Sequence, residues 1–279
     1  MSSFINMNYM CSQISLPACS VLFRNNVHAQ YPSRSIQIFN LNMYSPYTIM
    51  VLAMNIVMTL VLINRTKIKY SFPARKEMLI FLKVYLGSLL FDLVLCLGVV
   101  RTSWSIAYAA LVSFQVACTV TCFVSAMCTG LVWMLPNRVA SSCKNIAWFL
   151  TACSLAATFF GSLLSITAGI GEGLFLLLYI VPFFFATLFS FTQLSKLKIL
   201  NAEIWYYGSL LVTILLVSVI ALTPVVFGML IVMVSDRYLD GIFLIHVLAM
   251  FAVIKIYDLW CIDNEQEIEC VNTVELVNK

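Results

Sequence analysis

Seven stretches of the chain are apolar for close to the length of a bilayer crossing. They run near Ser45–Ile63, Glu77–Val99, Ile106–Met134, Ile146–Ala168, Leu174–Leu194, Ile204–Val234 and Leu239–Trp260. About 20 residues at 1.5 Å per residue cross a ~30 Å hydrocarbon core. Inside hydrocarbon a backbone must satisfy its own polar groups, and an apolar run does so as a helix. The pattern predicts an all-α, polytopic membrane protein with seven transmembrane helices. The first run is the shortest. The sixth is long and carries Pro224, which has no N–H to donate and predicts a kink.

The links between the runs are short and polar. Asn64–Lys76 holds five basic residues and Pro73, Pro136-Asn137-Arg138 ends the third run, and Gly169–Gly173 makes a tight turn. Short links force neighbouring helices to run antiparallel. Three parts follow: an N-terminal tail over 1–44, a membrane domain over 45–260 and an acidic tail over 261–279. Lysine and arginine set the orientation. Ten fall on the side of the 64–76, 135–145 and 195–203 loops and the C-terminal tail, and four on the other side. The N-terminus is therefore expected in the lumen and the C-terminus in the cytosol, with six or eight spans as the alternative. Trp205, Tyr206 and Tyr207 open the sixth run, and Tyr257 and Trp260 close the seventh, as amphipathic rings do at headgroup level. The sequon Asn64-Arg65-Thr66 falls on the cytosolic side and is expected to stay unglycosylated.

Composition removes the soluble alternative. Of 279 residues, 62% are hydrophobic and 10% charged, against roughly 45–50% and 25% in soluble domains. The net charge of +4 is scattered over short loops and gives no reason to expect nucleic acid as a partner. Residues 1–30 lack a charged region followed by an apolar one, so the first span is expected to direct its own targeting.

Candidate chemistry is sparse. No His-Glu-x-x-His, Gly-x-Ser-x-Gly or P-loop pattern occurs, and His28 and His246 lie far apart in sequence. No catalytic residue, metal site or cofactor is expected. Asp92 is the clearest ionisable group at membrane depth. Lys83, nine residues earlier, points to the opposite side of the helix. Asp92 reads either as an ion or proton site or as a carboxylate bonded to a neighbouring helix, with Gln115 the nearest candidate. Cys96, Cys118, Cys122, Cys128 and Cys153 sit in apolar runs and read as small packing residues. Gln115, Cys118, Cys122, Ser125 and Thr129 form one small polar stripe, and Thr151, Ser154, Thr158, Ser162 and Ser165 form another. Such faces serve internal helix packing or dock another membrane protein. In the N-terminal tail, Cys11 and Cys19 are candidates for a disulfide in an oxidising lumen. Asp263, Glu265, Glu267 and Glu269 resemble the acidic export signals read by a vesicle coat, or form a merely solvated acidic tail.

Several of these segments together resemble the fungal chitin synthase export chaperone family. The likeness runs from Cys11 to Val21, with Leu16 and Pro17 inside a Cys–Leu-Pro–Cys box. It continues through Gly98-Val99 and Tyr108–Gln115, and is nearest at Tyr238-Leu239-Asp240-Gly241. It ends with Tyr257–Trp260 and the acidic run. The chain departs from the family pattern at Leu95-Cys96-Leu97-Gly98 and at Arg101-Thr102-Ser103-Trp104. The resemblance implies a non-enzymatic chaperone in the endoplasmic reticulum membrane whose client is a chitin synthase, with a role in chitin and cell-wall biogenesis. A seven-helix receptor or small-solute transporter is the alternative. A transporter should show repeats and broken helices around a polar midplane, and Pro182 and Pro224 form no such repeat.

Overall fold

The computed structural model describes residues 7–14, 16–22, 36–38, 41–43, 45–70, 72, 74–99, 105–134, 137–199 and 203–277. Arg24, Arg34 and Arg101 lie outside the described residues. Seven helices are long and apolar enough to cross a membrane: Pro46–Ile68, Arg75–Cys96, Ile106–Trp133, Ile146–Thr167, Gly171–Ile199, Ile204–Val234 and Gly241–Cys261. They are called the first to seventh spans below. The chain is a multi-pass helical membrane protein. Within residues 1–44, two short helices, Met7–Gln13 and Pro17–Leu22, precede a small antiparallel hairpin pairing Ile36–Ile38 with Leu41–Met43.

Helix and apolar run end at different places. The first helix continues past Ile63 to Ile68, so the first span has 23 residues and the seventh, with 21, is the shortest. Asn64–Lys67 ended the apolar run but not the helix, because Arg65 and Lys67 suit the negative end of the helix dipole. The helix of the fourth span likewise begins at Asn137, and that of the seventh runs on to Val277. Pro224 lies in a π-helical turn over Thr223–Phe227, and a second such turn, Leu176–Ile180, ends just before Pro182. One wider turn absorbs the missing N–H and the ring's clash with the preceding turn. At the predicted glycine turn Gly169 adopts φ +68°, and a Cβ on Gly173 would meet Ser165 Oγ at 2.6 Å.

The third span is the hub. In its central window 67% of residues are buried, against 17% in the fourth and fifth spans. It packs on the second, fourth and fifth spans, while the first and sixth pack on the seventh. The two small polar stripes explain this. Ser125, Thr129, Thr151, Thr158 and Ser162 are all buried. Their hydroxyls donate mainly to carbonyls of their own helices, as Thr129 Oγ1 does to Ser125 O at 2.7 Å. Ser162 Oγ also reaches across to Ser113 O at 3.3 Å. The first stripe turns to the second span, where Gln115 bonds Asp92 and Cys118 lies beside Gly87, and Ser162 of the other turns to the third span, so both stripes pack helices. Gly130 extends the effect: a Cβ there would meet Phe189 and Gln193 of the fifth span at 2.8 Å. Of the five membrane cysteines, Cys96, Cys118 and Cys128 are buried, Cys122 is partly so, and Cys153 faces outward.

The sequon sits on the first helix rather than in a surface loop. Thr66 is fully buried and donates to Leu62 O at 2.7 Å. Digestion of the purified protein with an endoglycosidase is expected to leave its mass unchanged. A loss of glycan mass would place the 64–76 loop in the lumen.

Candidate functional site at the head of the bundle

The antiparallel spans put the N-terminal segment and Tyr238–Gly241 at one end of the bundle, called the head. The 64–76 loop and the C-terminal extension share the other end, the foot. At the head, a disulfide joins Cys11 and Cys19, with 5.6 Å between their Cα atoms. Nine residues closed on themselves make a compact wedge. Leu16 leads into Pro17, which opens the second short helix where a missing N–H costs nothing. Met7, Met10, Cys11, Ile14 and Ala18 are each at most 3% exposed, so the wedge is packed into the bundle like core. Its first helix lies on Gly171–Phe175 and on the wide turn Thr223–Phe227, and its second on the third span. Ser20 Oγ donates to Tyr108 Oη at 3.2 Å.

Two glycines make room for the wedge. A Cβ on Gly241 would stand 2.7 Å from Ile14 Cδ1 and 3.3 Å from Gly228 Cα. Gly228 of the sixth span and Gly241 of the seventh thus approach closely, with Ile14 seated against them. This contact gives Gly241 of the Tyr238–Gly241 motif a physical reason: no other residue leaves the space.

Asp240, just before the seventh span, does two jobs. Its Oδ1 accepts from the backbone N–H of Phe243 at 2.8 Å, an N-cap that satisfies one of the open donors of the helix. The same oxygen accepts from Thr48 Oγ1 of the first span at 3.1 Å, and Thr48 is linked to Ser45 Oγ at 2.7 Å. The seventh span is thereby fastened to the first. Burial pushes the Asp240 carboxyl above its usual range, against the opposing pull of these hydrogen bonds. Leu239 N donates to Ser235 Oγ at 3.1 Å, and the ring of Tyr238 meets that of Tyr47 edge-on at 6.2 Å.

Below the cap lies a second polar layer inside the membrane. Asp92 is 8% exposed and accepts a hydrogen bond from Gln115 of the third span. His246 Nε2 of the seventh span stands 3.9 Å from Asp92 Oδ2. Asn55 of the first span donates from Nδ2 to His246 O at 2.9 Å. Four spans meet here around one carboxylate. Lys83 is exposed on the other side of its helix and takes no part. Sequence reasoning pairs Asp92 with Gln115 but overlooks His246. A depth argument finds it: Asp92 lies four residues before the head end of its helix at Cys96, and His246 five after the head end of its own at Gly241.

At the foot, Trp260 is fully buried and its ring meets Phe72 at 5.3 Å and Tyr257 at 5.8 Å. Cys261 is a buried free thiol, which leaves it poorly placed for acylation. The helix continues over Asp263, Glu265, Glu267 and Glu269, whose side chains lie outside the described residues. Among the described residues no cluster of His, Cys, Asp and Glu could hold a metal ion.

The wedge and the Asp240 cap are built from segments that carry the family likeness. The chain matches the profile of the chitin synthase export chaperone family over residues 3–273. It is similar to the chitin synthase export chaperone of Cryptococcus neoformans, at 23% identity over 95% of this chain and 76% of that one. It is similar to that of Candida albicans, at 22% identity over 96% and 91%, and of Gibberella zeae, at 24% over 96% and 84%. No solved structure matches. The wedge, the Asp240 cap and the buried carboxylate thus sit in a chain that, by a match along nearly its whole length, belongs to the chitin synthase export chaperone family.

Proposed function

We propose that the chain is a chaperone of the endoplasmic reticulum membrane that a chitin synthase needs in order to fold and to leave that compartment. Through that client it serves chitin and cell-wall formation. The observation that carries this reading is the match to the family profile over residues 3–273, with relatives named as chitin synthase export chaperones in several fungi. The physics is compatible. A multi-pass client exposes polar membrane positions until its own helices pack, and a stable helical partner covers them in the meantime. The lysine and arginine count and the Cys11–Cys19 disulfide support a luminal head and a cytosolic foot. The acidic run then faces the cytosol, where a vesicle coat could read it. The chain is not an enzyme in this reading, and no specific observation favours a receptor or small-solute transporter.

The test is deletion of the gene in its host with a fluorescently tagged chitin synthase. The synthase is expected to stay in the endoplasmic reticulum, and cell-wall chitin to fall. Normal arrival at the cell surface for every chitin synthase of the host overturns the proposal.

A further inference from the structure

The foot of the bundle brings together two segments of opposite charge. Arg65, Lys67, Lys69, Arg75 and Lys76 lie within twelve residues, with no acidic residue among them. Asp263, Glu265, Glu267, Glu269 and Glu275 follow the seventh span, with no basic residue before Lys279. A loop with five positive charges and a segment with five negative ones thus meet at one end of the bundle.

Packing sets the two segments side by side. Phe72 and Ala74 of the basic loop belong to the same apolar cluster as Trp260 and Cys261. The Phe72 and Trp260 rings are 5.3 Å apart, and Arg65 acts electrostatically on Tyr257 one turn earlier. The loop's own aromatics hold its cations in place: Lys69 Nζ lies 4.5 Å from the Phe72 ring and Arg75 Cζ 4.8 Å from the Tyr70 ring. Glu77, the next acid along the chain, is buried at 6% exposure. Beyond Cys261 the seventh helix does not stop but continues to Val277. At 1.5 Å per residue that extension is about 24 Å long. Asp263 and Glu267 stand three and seven positions after Trp260 in the same helix, at the spacing that shares a register with it.

We propose that the basic 64–76 loop is the docking surface for the acidic stretch 263–269 of the same chain, forming an electrostatic clasp at the foot. If the acidic stretch is the export signal of the proposed function, the clasp covers it, and whatever reads that signal competes with the loop. The clasp itself stands without that reading.

The experiment uses the full-length chain in native membranes, with Lys69→Cys and Asp263→Cys introduced together and a short bifunctional maleimide as crosslinker. A loop–tail crosslink is expected at low salt. It should fall several-fold at 1 M salt, where the screening length is about 3 Å. Changing Lys67, Arg75 and Lys76 to Glu should abolish it. Changing Asn264 and Glu267, which share Trp260's register on the helix, to Lys as well should restore it, which separates lost attraction from lost folding. A crosslink indifferent to salt and to loop charge overturns the proposal. So does the outcome in which loop reversal leaves the crosslink intact but strips anionic phospholipid from the purified protein, since the loop then faces lipid headgroups. Client export is scored separately in the deletion strain: normal export there, with the crosslink formed in the intact strain, leaves the inference standing and removes the chaperone reading.

Discussion

Gly241→Val is expected to unseat the N-terminal wedge and to lower the melting temperature of the detergent-purified protein. The first added carbon alone would meet Ile14 at 2.7 Å and the Gly228 backbone at 3.3 Å. Overpacking of this kind costs about 1–3 kcal/mol, and here a backbone atom is one of the obstacles. Ile14→Ala also destabilises, by roughly 2–5 kcal/mol, because it empties a position only 2% exposed. The decisive measurement is the double variant. If Ile14 occupies the space before Gly241, the two losses are far from additive, since the shortened side chain admits the new one. Simple addition of the two losses would show that the wedge sits elsewhere. Under the proposed chaperone role, Gly241→Val should hold back the tagged synthase as deletion does.

Asp92→Ala is expected to have the second large effect. It removes the acceptor of Gln115 and the partner of His246 at once. A buried polar group left unsatisfied costs about 1–3 kcal/mol, and this change strands two. Asp92→Asn keeps an acceptor oxygen and should lose less. Asp92→Leu combined with His246→Leu removes both members of the pair and should recover most of the loss, as apolar replacements of buried pairs often do. Thermal melting in detergent reads all three. An Asp92→Ala protein that melts with wild type would mean that the pair does not hold the second and seventh spans together.

These sites differ in how far the amino-acid pattern discloses them. The seven spans are legible because hydrocarbon imposes one length and one element on every crossing. Asp92 stands out because a lone carboxylate in an apolar run needs a partner, and Gln115 is at a reachable depth. His246 is missed because nothing in its own run ties it to Asp92 until the two helix ends are aligned. The helical stretches Asn137–Lys144 and Cys261–Val277 are missed for a different reason. Hydropathy reports where lipid ends, whereas helix propensity does not change at that border. The wedge is the hardest case. Cys11, Cys19 and the Leu16–Pro17 step are visible as local features, but the seat of Ile14 is built from Gly228 and Gly241, more than two hundred residues away. Nothing local marks a glycine as a partner.

The hub position of the third span has a consequence for how the chain itself is made. That helix is complete at Trp133, yet the fifth span, one of the walls it packs against, ends only at Ile199. At 5–20 residues per second, ribosomal synthesis leaves roughly 3–13 s in which the hub's hydroxyl-lined flank faces the translocon or lipid without its later neighbours. The newborn chain therefore passes through an unsheltered interval of its own before its later spans arrive to cover the hub.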